Sequence, residues 1–456
     1  MQLKRRLAKI IKIGVRSLLI LLLIIGGLTV LLRNESVQTK IAKKASDYLS
    51  NELSAEVSIQ AVAIDFSRNI AFSNLLIRDR FGDSMIFASN FNTQLLSWDW
   101  NKRMLIFSNS SINKGLVYLG KRKDSSRLNV DFLISYINGP MKEKKEKSKP
   151  WNIFFSQAKL SQVNFKYFNE NKEKTPPGII DPQNLSFNNI SGVAKELWLI
   201  KDSLHFISEK LSTTEKSGLT INSFDAICNI HNKGMDFTEL TCQTECSTIG
   251  DELHFSYPGY KYLDEFISNT TWKGSLRDTK LCLKELKIFD PFFKHNQETA
   301  LINTELTGTF DNLRAKNFDA RLAQSTIIKG DFRFKGLPRW RNSVQQFRIN
   351  TLVSTGSDIS SIMSGMAMPK TLFDLGNLKY KGNLNGKFLN FKTAGYLTTD
   401  AGDVTLNDVK LNIENGLETG TLTGNIATEN FKINTLGNFN MFGNFEVEKG
   451  VVPYRF

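Results

Sequence analysis

This chain of 456 residues lacks the usual marks of chemistry. It contains no HExxH, GxSxG or GxGxxG. The glycine pair Gly382/Gly386 ahead of Lys387 misses the spacing of a phosphate-binding loop. Its four histidines, His205, His231, His254 and His295, are scattered, and no two of them stand at helical spacing. The expectation is a protein that is not an enzyme and carries no metal or cofactor. Proline is scarce at 10 residues, which favours long uninterrupted strands. Cysteine is scarce too, and Cys228, Cys242, Cys246 and Cys282 match no zinc framework. Cys242 and Cys246 on one strand would stand about 13 Å apart, too far to bridge each other. Two readings remain for them. One is a bridge from Cys228 to Cys242 or Cys246 across a hairpin; the preferred one is four buried thiols packing as small hydrophobes.

The chain also lacks a basic surface along its body. The formal charge is +14, but residues 1–50 carry +8 of it and residues 142–149 another +3, leaving +3 for everything else. A body so nearly neutral excludes a nucleic-acid-binding stripe.

Long apolar runs are absent except at the amino terminus. Lys4, Arg5, Arg6, Lys9, Lys12 and Arg16 precede residues 17–32, which are uncharged and mostly apolar and include Leu18, Leu22, Ile25, Leu28 and Leu32. As a helix this run spans about 24 Å, and Arg16 and Arg33 can snorkel to complete a bilayer crossing. A cleavable signal peptide should end in a small-x-small site, and residues 29–33 offer none. The expectation is an uncleaved transmembrane anchor over 1–33. Its basic flank orients the amino terminus to the cytoplasm and puts 34–456 on the far side. Over 34–54, Val37, Ile41, Ala45, Tyr48 and Leu49 recur at helical spacing, which predicts an amphipathic helix lying on the membrane or capping a sheet.

Beyond residue 55 the period changes from helical to two. Ile328, Gly330, Phe332 and Phe334 alternate with Lys329, Asp331, Arg333 and Lys335, and Ile302, Leu306 and Phe310 alternate with polar neighbours. At Val404, Leu406, Val409 and Leu411 the phase slips once near Asp408, as a β-bulge would make it. The expected fold class is all-β, a mostly antiparallel and elongated sheet. A charged linker over 141–150 divides a module at 55–140 from a longer region at 151–456. A sheet with one polar and one apolar face needs a cover for the apolar face: another sheet, a helix, or something that is not protein. Ile302, Leu306, Phe310, Ile328, Phe332 and Phe334 are the candidate lining of an open groove, or equally the core of a closed sandwich.

The segments VSIQAVAID (57–65), IAFSNLLIRD (70–79) and DSMIFA (83–88), just past an anchor, resemble the start of AsmA-like and TamB-family proteins of the Bacteroidota type. So do LSTTEKSG (211–218), DFTELTCQT (236–244), LTGTF (306–310), GNLNGKFLNF (382–391) and AGYLTTDAG (394–402), in that order. The resemblance implies an inner-membrane protein with its bulk in the periplasm, built as a twisted sheet curled into a groove. It further implies a part in moving phospholipids to the outer membrane, with membrane lipids as partners and an Omp85-type outer-membrane barrel as a further one. The longer members carry a further C-terminal domain, and with VVPYRF at 451–456 the resemblance implies a short or C-terminally truncated form. The alternative function is a scaffold that assists barrel proteins by strand addition at its edges, without lipid transport.

Overall fold

The structure, a computed structural model, describes residues 35–65, 67–125, 127–137, 150–366, 368, 371–414 and 420–429. The candidate anchor residues and the basic residues before them lie outside these, as does nearly all of 141–150. No helix among the described residues is long and apolar enough to cross a membrane. The chain is predominantly β, with nineteen strands among the described residues. It forms two compact units. One holds residues up to Lys172 together with Ser186–Asp202, and the other Glu173–Leu185 with Ser203 onward. The boundary between units therefore does not coincide with the charged run at 142–149.

In the first unit, helix α1 (Glu35–Leu53) precedes strands β1 (Val57–Ile64), β2 (Asn69–Arg78), β3 (Ser84–Asp99) and β4 (Met104–Lys121). Helix α2 (Asp131–Ile137), β5 (Asn152–Asn169) and β6 (Asn184–Ile200) follow. Neighbours β1 to β4 pair antiparallel, but β4 and β5 run parallel. A parallel pair needs a long crossover, and the connection through α2 and residues 138–151 supplies it.

Helix α1 is the cap, and the sequence explains why. Ala42 and Leu53 are buried, and Ile41, Ala45 and Leu49 pack with them on Val57, Ile59 and Val62 of β1. Tyr48, expected on this face, is instead 60% exposed. Among the described residues strand β1 pairs along one edge, with β2, so its other edge would leave backbone N–H groups bare. Ser46 Oγ accepts the N–H of Ile59 at 2.9 Å and Ser50 Oγ that of Val57 at 2.9 Å, closing that edge with helix side chains.

The second unit is a meander. It contains β7 (Ser203–Glu215), β8 (Thr220–His231), β9 (Gly234–Thr244), β10 (Thr248–Ser256), β11 (Thr271–Cys282), β12 (Thr299–Thr309) and β13 (Asn312–Leu322). Strands β14 (Thr326–Lys335), β15 (Val344–Thr355), β16 (Asn377–Lys387), β17 (Asn390–Thr399), β18 (Gly402–Asn412) and β19 (Thr421–Glu429) complete it. Each strand pairs antiparallel with the next. The sheet does not close.

Bulges punctuate these strands. Lys210, Glu239, Asp278, Asn317 and Asp408 sit at φ of 47–53°, each beside a shift in register. Each bulge adds one residue and local twist, and lets alternation resume on the same face. Asp408 is where the sequence pattern slipped. In the first unit Asn74, Lys114 and Gln162 also take a φ of 47–55°, but there the pairing keeps its register.

Candidate functional site: a one-sided apolar face

Cross-strand partners in register share a face of the sheet. In the second unit this builds an uninterrupted line across twelve strands. Phe206 pairs with Cys228, Cys228 with Phe237, Phe237 with Leu253, and Leu253 with Gly274. Gly274 continues to Leu306, Leu306 to Ala315, and Ala315 to Phe332. Phe332 pairs with Phe347, Phe347 with Leu384, Leu384 with Thr393, and Thr393 with Val409. At roughly 4.8 Å per strand the line runs on the order of 50 Å along the sheet.

Two residues along each strand lies a second line on the same face. It passes through Leu204, Ile230, Met235, Phe255 and Trp272. From there it crosses Gly308 and Leu313 to Phe334, and later Phe391, Leu411 and Leu422. Gly308 makes the passage possible. It sits at φ +112°, and a side chain there would meet the Asn312 carbonyl oxygen.

All six residues singled out from the sequence can be located. Leu306 and Phe332 lie on the first line and Phe334 on the second. Ile302 and Ile328 are joined through Ala320 in a third line on the same face. Phe310 follows β12 and stacks on Trp272 at 5.0 Å. Phe332 touches Phe318 and Phe347, both at 4.7 Å. Sequence reasoning overlooked Phe206, Leu253, Trp272, Phe347 and Phe391. Their period-two signal was present, but pairing register alone shows which runs are neighbours.

This face is not the interior of a closed sandwich. Of the chain's 33 phenylalanines, only Phe332 is buried among the described residues, at 9% exposure. The side chains with almost no exposure are mainly small or polar, such as Asn296, Ser343 and Ser354. A sandwich would have sunk its aromatics deepest. Trp272 adds a local oddity, since its indole Nε1 is buried and meets no acceptor among the described residues. Over β13–β16 lies a concavity of about 530 Å³, lined by Ala315, Phe332, Phe347 and Leu384 with Arg314, Lys316, Arg333 and Arg348 beside them. Strand alternation turns Ala315, Phe332, Phe347 and Leu384 to one face of the sheet and the basic residues next to them to the other.

The cysteines divide in a way the sequence did not foresee. Cys246 is bonded to Cys282, a pair not among those weighed, while Cys228 and Cys242 are free. The reason is register. Thr248 pairs with Lys280, and two residues further out the same pairing sets Cys246 opposite Cys282. Burial pushes the Cys228 and Cys242 thiols up to about 11, so both stay neutral and unreactive. Among the described residues no group of His, Cys, Asp and Glu is arranged to hold a metal ion. His254 Nδ1 meets Asp236 at 2.7 Å, with His231 at 3.7 Å from the same carboxylate, a partly exposed polar cluster.

No family model, curated protein or solved structure matches this chain.

Proposed function

We propose that this chain is a cell-envelope protein, tethered to the inner membrane by its amino-terminal apolar run, whose one-sided sheet shelters phospholipid acyl chains in the periplasm. This is the role implied by its resemblance to AsmA-like and TamB-family proteins. In that reading the sheet curls into an elongated groove and serves outer-membrane biogenesis. The observation that carries the proposal is the apolar line from Phe206 to Val409, continuous across twelve strands, whose aromatics other than Phe332 are not buried among the described residues. Each CH₂ of an acyl chain withdrawn from water there contributes about 0.8 kcal/mol. Because that attraction has no direction, a lipid can slide along the line without breaking specific bonds. The Cys246–Cys282 bond fits an oxidising compartment outside the cytoplasm.

The test is chemical. Full-length protein extracted gently from membranes, washed and analysed by lipid mass spectrometry should carry phospholipid at a fixed ratio. Protein that carries none above a control membrane protein of equal size would overturn the proposal.

A further inference from the structure

The first unit has two unlike ends. At one, Arg122 bridges Asp83 and Glu170, the latter at 2.9 Å, while Asn129 Nδ2 donates to Asp79 at 3.1 Å. That end is charged. The other end collects the turn after β1, the β3–β4 turn, the start of β5 and the end of β6. Strand pairing places Asn69 opposite Gln94 and Met104 opposite Asn152. The Phe154–Trp198 contact at 4.2 Å and the Phe165–Phe187 contact at 6.3 Å set β6 antiparallel to β5.

Eight large apolar side chains are exposed among the described residues of this unit, and five stand at this second end. They are Ile64 at 40%, Leu96 at 46%, Trp98 at 49%, Trp100 at 70% and Ile200 at 41%. Trp100 meets Trp151 edge-on at 5.5 Å, and Arg103 lies 5.9 Å from the Trp151 ring. Arg68 reaches from the neighbouring turn to the Leu96 carbonyl at 3.0 Å. Tryptophans beside arginines and isolated aliphatics are the side chains that settle at the headgroup level of a bilayer, where one side of the ring is wet and the other apolar.

The amino terminus arrives at the same end. The Ser46–Ile59 and Ser50–Val57 hydrogen bonds fix α1 antiparallel to β1. Eleven residues of helix from Ser46 back to Glu35 rise about 16 Å, and five residues of strand from Ile59 to Ile64 advance about 16 Å. Glu35 therefore stands level with Ile64, and the apolar run of residues 17–32 ends only two residues before it.

We infer that this end of the first unit is a membrane-seating rim, with Trp98 and Trp100 inserted at the interface of the bilayer that the amino-terminal run enters. The inference rests on the tethered-protein reading above, but its test reads where tryptophans sit and not whether lipid is carried. The full-length protein is reconstituted into phosphatidylcholine–phosphatidylglycerol nanodiscs, with or without acyl chains brominated near the glycerol. Bromolipid should quench the wild-type emission, and the double variant W98F/W100F should lose at least half of that quenching while keeping its circular dichroism. The variant replaces two exposed indoles with phenyl rings, so folding is not at stake. Quenching that survives in the variant undiminished would overturn the rim. Were the surviving part then abolished by W272F, lipid on the second unit's face would be its source, and the lipid-sheltering reading would stand without the rim. Iodide reaching Trp98 and Trp100 equally well in nanodiscs and in detergent would also overturn it.

Discussion

Phe332 and Phe347 oppose each other across β14 and β15 with ring centroids 4.7 Å apart, within the apolar line through the second unit. A charge placed there would be desolvated by any acyl chain crossing it. Phe347→Glu is expected to retain the fold, since Phe347 is only half-buried, and to lower co-purified phospholipid by more than half in lipid mass spectrometry. Phe332→Ala, at the one buried phenylalanine, should cost about 3 kcal/mol in a denaturant titration.

The disulfide predicts a different loss. Cys246 and Cys282 are 36 residues apart in sequence, and closing a loop of that size removes unfolded-state entropy. Replacing both with serine should lower stability by roughly 3–4 kcal/mol. Peptide mapping without reduction should recover Cys246 joined to Cys282, with Cys228 and Cys242 alkylated only after unfolding.

Asp358 lies in the first turn of the helix at Gly356–Ile362 and is 5% exposed. Burial works to raise its pKa, but the Ser325 N–H and Oγ, each at 2.8 Å, and Thr326 Oγ1 at 3.0 Å outweigh it and hold the carboxyl below its ordinary 3.8. A native value below the unfolded one means stabilisation fully present above the unfolded pKa and lost as pH falls through the native one. Thermal melts should show the acid loss below about pH 4 shrink in Asp358→Asn, which should itself cost about 1–3 kcal/mol.

At the free edge of β1, Ser46→Ala and Ser50→Ala each uncover a backbone N–H. Each should cost about 1 kcal/mol and speed hydrogen exchange at Ile59 and Val57 respectively. Exchange left unchanged at both would show that the helix does not close this edge.

Asp408 tests the bulges. At φ 53° a β-branched residue is strained, so Asp408→Val should cost about 1–2 kcal/mol, while Asp408→Gly should be nearly neutral. Chemical denaturation of both variants measures the difference.

Much of the fold was legible because strands write themselves locally. The alternation at 328–334 became β14, and the slipped phase at Asp408 became a bulge with a register shift. The helix at Glu35–Leu53 followed from its spacing, although Tyr48 turned outward. The parallel β4–β5 pair could not be read, because direction depends on where a crossover lands. Nor could the bridge from Cys246 to Cys282, which depends on how β10 and β11 align.

By itself the sequence determined an all-β body with one apolar face, a nearly neutral charge along it, and an apolar basic-flanked run before it. Those properties live in neighbouring residues, where side-chain period and composition are enough. Only the tertiary structure decided that Leu306, Phe332 and Phe347 join a line twelve strands long, and that Trp98, Trp100 and Ile200 stand at the end where α1 begins. Both follow from strand register and direction, which set residues as distant in sequence as Ile64 and Ile200 at one end of a unit and leave no trace in any local pattern.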